Sequence, residues 1–430
     1  MKNKFILLIV ISGLTGATAF PQSVITLKEC YEKALNANAL AGEKDAYSKI
    51  SGLKDQNLAR GWLPTLDANA SASYISDVVS FNGLSAINPA LSAILPSMPH
   101  DQYKVTLDIN QVIYDGGAIK SGRALEKAEL GVNQKQTETD LYKTRSLVNT
   151  YYFNILLLTR QKELLINYQT LISKRIAAMQ SAAENGVTLK SDIDILISEK
   201  LKLGQQITEN DLKKESLVKN LSALTGIKID AGTEFTLPVP PAELKNELTR
   251  PELQLYDMRK QQLAAGLQLS QSKRMPRVFG YATLGYGNPP GNDFFNNKFD
   301  TYYMVGGGIK WNIFDWNKVR NEKRVISIQE GILDNRKRDL EDNLTRQLET
   351  KSAEIASLKT LVATDEELIA LRKRITATAE SQYQNTVITA TEYLNELNSQ
   401  QQAEINYEIH KINLALAGTE YLNISGRNIE

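Results

Sequence analysis

Two aspartates, Asp115 and Asp315, stand 200 residues apart in related settings, Tyr114-Asp115-Gly116-Gly117 and Phe314-Asp315-Trp316-Asn317. A recurring carboxylate invites a reading as general acid or base, and such a role needs a second titratable group within hydrogen-bond reach. Neither aspartate has a histidine or another carboxylate nearby in sequence. The two histidines, His100 and His410, fall in no metal-binding spacing, and the single cysteine, Cys30, excludes a disulfide framework or a Cys-rich metal cluster. Gly285-Tyr-Gly287-Asn-Pro-Pro-Gly291 is one residue too long for a dinucleotide loop, and its prolines remove backbone donors. Its glycines read as sites where bulky strand neighbours pack. No nucleophile–base pair, P-loop or metal-ligand cluster is legible, so the sequence argues against an enzyme and calls for no cofactor. Asp115 and Asp315 read instead as N-caps, whose carboxylates accept backbone N–H bonds at the positive end of a helix.

A second group of ionisable residues is one-signed. From Ile375 to His410 there are five acids, Glu380, Glu392, Glu396, Glu404 and Glu408, and no Lys or Arg. Two readings stay open: a solvated helix face, or a cation-attracting constriction if several copies repeat the stretch around one axis. The whole chain balances 50 Lys+Arg against 49 Asp+Glu, net +1, so it lacks the basic excess that holds nucleic acid.

These residues need elements to position them. A basic start, the apolar run Phe5–Leu14 and Ala17-Thr-Ala19 read as a secretory signal peptide over residues 1–19. That run is far short of the ~20 residues that span a bilayer as a helix. Prolines are missing from 100–237 and 291–430, and neither Gly nor Pro interrupts 132–185 or 332–417. Both stretches are rich in strong helix formers with apolar residues at helical spacing, as in Ile193, Ile197 and Leu201, which predicts very long helices.

The two helical halves are related. At an offset of 200, Glu184-Asn-Gly-Val187 matches Gln384-Asn-Thr-Val387 and Leu224-Thr-Gly226 matches Ile424-Ser-Gly426; upstream, at 212, Leu63-Pro64 matches Met275-Pro276. This is a tandem duplication: a first repeat over 20–226, a linker over 227–250 and a second repeat over 251–430. Each repeat carries two strand-like runs, at about 65–76 and 102–114, then about 277–287 and 302–314. Strict alternation, as in Tyr103-Lys-Val-Thr-Leu-Asp-Ile-Asn110, suits a strand with lipid on one side and water on the other. The run Val278–Tyr286 alternates poorly. Tyr74, Tyr103, Trp311 and Trp316 suit either an aromatic girdle or ordinary packing. Four strands cannot close a membrane barrel, and open sheet edges do not persist in lipid, so strands in a membrane would require several copies.

In its signal peptide, its duplicated order of helix, two strands, long helix and helix, and its Tyr-Asp-Gly-Gly and Phe-Asp-Trp-Asn junctions, the chain resembles the TolC family of bacterial outer-membrane efflux channels. The resemblance implies a mainly α protein with β: a homotrimeric twelve-stranded membrane β-barrel, four strands per chain, continued by a long periplasmic α-helical barrel built of two tandem repeats. Residues 117–184, as one helix, would run about 100 Å. It implies an equatorial region including Ala231–Leu248, and helix reversals near Ala183–Asp192 and Tyr383–Glu392 at the periplasmic tip. The implied adaptor contacts there are Asn185, Gly186, Val187, Asn385, Thr386 and Val387. The implied pore gate includes Glu392, with Asn395 where the family has a second acid, helped by Glu396 and Asp192. Thr386 stands where the first repeat keeps Gly186. The implied partners are two further copies, outer-membrane lipid, a periplasmic adaptor and an inner-membrane pump of resistance-nodulation-division or ATP-driven type. The function implied is a passive exit duct for efflux or polypeptide secretion. The rival reading is a soluble periplasmic or surface coiled-coil scaffold with a small antiparallel sheet.

Overall fold

The structure, a computed structural model, describes residues 24–79, 98–184, 189–230, 232–294 and 296–429. The expected signal peptide and the turn residues Asn185, Gly186 and Val187 lie outside the described residues. The first half runs β1 (Val24–Ile25), α1 (Leu27–Ala37), α2 (Glu43–Ala59), β2 (Thr65–Tyr74), β3 (Asp101–Tyr114), α3 (Ala118–Tyr142), α4 (Thr144–Glu184) and α5 (Lys190–Thr225). The second runs β4 (Glu234–Phe235), α6 (Pro251–Ser272), β5 (Arg277–Asn288), β6 (Asp300–Lys310), α7 (Lys318–Gln384) and α8 (Ala390–Ser425). The chain is mainly helical with a smaller sheet component.

The main sheet is antiparallel in the order β2-β3-β5-β6. Side chains alternate across a strand, so the ladder registers sort them into two faces. Leu66, Ala68, Ala70, Ala72, Val105, Leu107, Ile109, Val278, Ala282, Leu284, Val305 and Ile309 share one face, which carries no charge over this span. Asp67, Asn69, Ser71, Lys104, Thr106, Asp108 and Thr283 share the other. The poor alternation of β5 has a cross-strand cause. Phe279, Tyr281 and Tyr302 sit on the polar face, their rings lying where a Cβ on Gly308, Gly306 and Gly285 would be.

The last strand stops at Lys310, short of the expected 314. Its counterpart β3 continues to Tyr114 because Val112 and Tyr114 pair with Phe279 and Val278 of β5. Residues 311–314 have no such neighbour in the chain, and a strand end without a ladder partner is not held. β2 and β6 are both open edges among the described residues.

The helix expected over 117–184 is broken at Lys143, between α3 and α4. Thr144 Oγ1 there accepts from Asn38 Nδ2 at 3.2 Å, and the Arg145 guanidinium lies 5.3 Å from the Tyr31 ring and 4.5 Å from that of Tyr142. The C-terminal end of α8 docks at the same place, Tyr142 Oη donating to the Asn423 carbonyl at 2.7 Å. In the second repeat α7 is continuous over 67 residues, so it spans about 100 Å at ~1.5 Å per residue.

Three apolar clusters hold the helical part. Around the parallel β1–β4 pair, Ile25, Cys30, Tyr31, Tyr152, Phe153 and Leu221 are buried, and Tyr152 Oη donates to the carbonyls of Ile25 at 3.0 Å and Thr236 at 2.7 Å. Burial pushes the Cys30 thiol up to about 12, which keeps it an inert core residue. Leu348, Ile355, Leu358 and Tyr421 pack with Leu244 and Leu248 of the linker between repeats. Toward the helix reversals, Leu165, Tyr168, Ile172, Leu196, Tyr393 and Leu397 form the third. No described helix is long and apolar enough to cross a membrane.

Candidate functional site

Asp115 and Asp315 act on helix starts, from further out than an N-cap. The cap positions are Gly117 and Asn317, neither of which makes a side-chain cap bond. Asp115 instead reaches across two left-handed residues: Oδ1 accepts from Gly117 N at 2.8 Å and Oδ2 accepts from Ile119 N. Asp315 Oδ2 accepts from Val319 N at 3.1 Å and lies 3.5 Å from Arg274 Nε. Each carboxylate is thus committed to backbone donors, which fixes the angle at which a strand enters its helix. Of the two histidines, His410 Nδ1 lies 2.6 Å from Asp365 Oδ2 and His100 Nδ1 lies 2.7 Å from the Ile75 carbonyl. Among the described residues no group of three or more His, Cys, Asp or Glu could hold a metal ion.

At the second helix reversal Asn385 and Thr386 end α7. Asn385 Nδ2 donates to the Ser381 carbonyl at 2.8 Å, and Thr386 takes φ 61°. A left-handed value at a non-glycine residue is uncommon and is held here by the turn. Val387 is exposed, and its N–H donates to the Gln382 carbonyl at 2.8 Å. Thr389 and Glu392 then form a reciprocal capping box: Glu392 N donates to Thr389 Oγ1 at 3.2 Å, and Glu392 Oε2 accepts from Thr389 N at 2.8 Å. These bonds, the backbone one foremost, hold the Glu392 carboxyl below the ordinary glutamate range. Within one chain, the environment of Glu392 favours its charged form; the crowding expected of a ring acts in the opposite direction.

Three of the remaining members of the acidic stretch have bases on other helices, and Glu408 has one on its own. Arg175 pairs with Glu380, Arg372 with Glu396 at 3.3 Å and Lys373 with Glu404 at 3.4 Å. Glu408 has Lys411 one turn on, at 3.7 Å. Asn395 is exposed. Asp192 lies in the first turn of α5, and its charge, after burial, raises the Tyr383 phenol. The tip holds a cluster that sequence reasoning did not assemble. The Tyr383 and Tyr393 rings stack at 5.3 Å and 4°, Tyr383 Oη lies 2.8 Å from Met179 Sδ, and the Arg175 guanidinium sits 5.5 Å from the Tyr393 ring. These residues tie α4, α7 and α8 together.

At the other end, the uncharged face of the sheet is bounded by aromatic residues. Tyr74, Tyr103, Tyr286 and Tyr303 lie toward the loop ends of the strands, and Trp62, Tyr114, Trp311 and Phe314 toward the helices; all are exposed. An apolar band between two aromatic rows is the pattern of a lipid-facing β-surface.

Residues 245–415 match the family model of the outer membrane efflux protein. Among solved structures, CusC, described in terms of folding and transmembrane channel formation, superposes with a TM-score of 0.70 at 13% identity, covering 94% of this chain and 92% of that chain. The CmeC outer membrane channel of Campylobacter jejuni gives 0.64 at 14% identity, over 93% of this chain and 85% of its own. The outer membrane protein VceC of Vibrio cholerae gives 0.66 at 14%, over 94% and 97%. The fold is therefore that of the outer-membrane efflux channels. No curated protein matches the sequence.

Proposed function

We propose that three copies of this chain close a twelve-stranded barrel in the outer membrane and extend it as a helical tunnel through the periplasm, forming a passive exit duct. The observation that carries this reading is the four-stranded sheet, with two open edges and one face that is apolar and uncharged between Ala72 and Leu66 and their cross-strand neighbours. In water the apolar face is a liability, and in lipid each unpaired backbone group costs several kcal/mol. Lipid covers the face, and closure by further copies pairs the edges.

The repeats supply a register for that closure. Within the chain Val105 faces Tyr286 and Ile109 faces Ala282. Carrying the offsets of 200 and 212 across places Val305 opposite Tyr74 of the partner subunit, and Ile309 opposite its Ala70. Both pairs fall on the apolar face, as closure requires.

The duct is gated at the tip by Glu392, Asn395, Glu396 and Asp192, and coupled there to an adaptor and, through it, to an inner-membrane pump. Asn185, Gly186, Val187, Asn385, Thr386 and Val387 make the adaptor contacts. Gene deletion separates the cargo classes: sensitivity to toxic compounds or metal ions marks efflux, and loss of protein secretion without it marks polypeptide.

The test is physical state and conductance. The protein should need detergent for extraction, migrate as a heat-dissociable trimer and form pores in a planar bilayer. Oxidation of a Tyr74→Cys/Val305→Cys protein should give dimers and trimers, while Tyr74→Cys/Met304→Cys, on opposite faces, should not. A water-soluble protein, or a monomer that conducts, overturns the reading.

A further inference from the structure

The two strand-to-helix junctions share a backbone and differ in residues. Gly116, Gly117, Trp316 and Asn317 all take left-handed φ, at 72°, 86°, 52° and 62°. Glycine is at ease there, whereas a bulky residue is strained and persists only where its surroundings hold it.

Gly116 is roofed within the chain. A Cβ on it would lie 2.7 Å from the Met275 Cβ and 3.0 Å from the Ser272 carbonyl oxygen. Met275-Pro276 corresponds to Leu63-Pro64 in the first repeat. The segment that should roof Trp316 is therefore the one ending in Leu63-Pro64. It does not do so in the chain, where Trp316 is 83% exposed, Leu63 60% and Trp62 43%. The three tryptophans of the protein, Trp62, Trp311 and Trp316, all lie at these two unmatched segments. One end of a missing contact is on each edge of the sheet, beside β2 and beside β6.

We infer that Trp316 is a wedge between copies, its indole seated against Trp62 and Leu63 of the partner subunit. The inference rests on the trimer proposed above and adds what the repeats alone do not contain. Strict repeat symmetry would drive the Trp316 Cβ into Leu63 of the partner subunit, just as a Cβ on Gly116 would meet Met275. The junctions between copies are therefore held wider than the junctions inside a chain. The waist between barrel and tunnel has three tight contacts, made by glycine, alternating with three opened by tryptophan. Lipid is the other medium that covers an exposed indole. Protein is favoured because the corresponding residue of the first repeat is covered by protein.

The experiment uses the full-length trimer in lipid. In a Trp62→Phe/Trp311→Phe protein the remaining fluorescence reports Trp316 alone. It should be blue-shifted and shielded from both iodide and brominated phosphatidylcholine. In the otherwise unaltered chain, Trp316→Gly should lower the temperature at which the trimer dissociates by about 2 °C or more. Trp316→Gly also frees the backbone and removes the edge contact with Phe314 of the same chain, so Phe314→Ala is the control, and its dissociation temperature should fall by less than that of Trp316→Gly. Quenching by the brominated lipid, or an unchanged dissociation temperature in a trimer that still forms, overturns the wedge and leaves the trimer standing. A protein that never trimerises removes both.

Discussion

Asp67 and Asp108 face one another directly across the β2–β3 ladder, and only one of the two carboxylates is well satisfied. Asp108 accepts from Asn69 Nδ2 at 2.8 Å, Thr106 Oγ1 at 2.9 Å and Thr283 Oγ1 at 2.6 Å. Asp67 has Thr65 Oγ1 at 3.4 Å. Like charges directly opposite are destabilising in a sheet, so a cation beside this pair would be stabilising, and among the described residues no ion pair to either is formed.

The repeat-derived register provides one. It sets Lys310 opposite Asn69 of the partner subunit and diagonal to that subunit's Asp67. Lys310→Ala should therefore lower the heat stability of the trimer, and Asp67→Asn should suppress the loss. A double-mutant cycle on trimer dissociation should return a coupling of about 0.5–1 kcal/mol. Additive effects would place the two side chains apart.

At the tip, charge and capping can be separated. Glu392→Gln keeps the hydrogen bonds of a capping box and removes the charge. It should reduce cation preference, read as reversal potential under a KCl gradient, without increasing basal conductance. Glu392→Ala should do both. Identical behaviour of Gln, Ala and wild type would reduce the acidic stretch to a solvated helix face.

The same cap carries a pH dependence. The folded-state pKa of Glu392 is lowered, chiefly by the Thr389 backbone N–H. Its contribution is thus fully present above the ordinary glutamate pKa and is lost as pH falls through the lowered one. Once the intrinsic pH dependence of exchange is divided out, amide protection in the first turn of α8 should fall on acidification in the wild type and stay flat in Glu392→Gln.

Arg175 bridges α4 to α7 and α8 through Glu380 and the Tyr393 ring. Glu380 is partly solvated, so the ion pair is discounted, and the two contacts together are worth on the order of 1 kcal/mol. Arg175→Ala should loosen the tip, raising open probability several-fold in single-channel recordings without changing trimer stability. No change in gating would make the cluster purely structural.

Gly116→Ala should destabilise the junction more than Gly117→Ala. Both residues have left-handed φ, but an added Cβ meets Met275 at the first and open space at the second. The difference, about 1–3 kcal/mol for the overlap, should appear in thermal unfolding followed by circular dichroism.

Much of this architecture is legible in the sequence, unevenly and for physical reasons. β2 and β3 announce themselves because their polar face carries short polar side chains. β5 does not, because Phe279 and Tyr281 belong to its polar face and rest on glycines of a different strand. The break at Lys143 has no Gly or Pro to signal it. It is held by Asn38, Tyr31 and Asn423, all more than a hundred residues away in sequence. The acidic composition of residues 375–410 is plain, but the bases that answer it, Arg175, Arg372 and Lys373, sit on neighbouring helices. Single-helix reasoning overstated the bareness of those charges.

The open edges of β2 and β6 also bear on biogenesis. If the trimeric barrel proposed above forms, a lone copy would carry unpaired strand edges that lipid does not accept, and association would have to precede or accompany membrane entry. Entry of this kind cannot be first order in protein. Its rate should climb more steeply than concentration, and at low synthesis the chain should accumulate in the periplasm as an aggregation-prone precursor. Whatever escorts it there must cover the strand margins as well as the greasy face, and must let go of three molecules together.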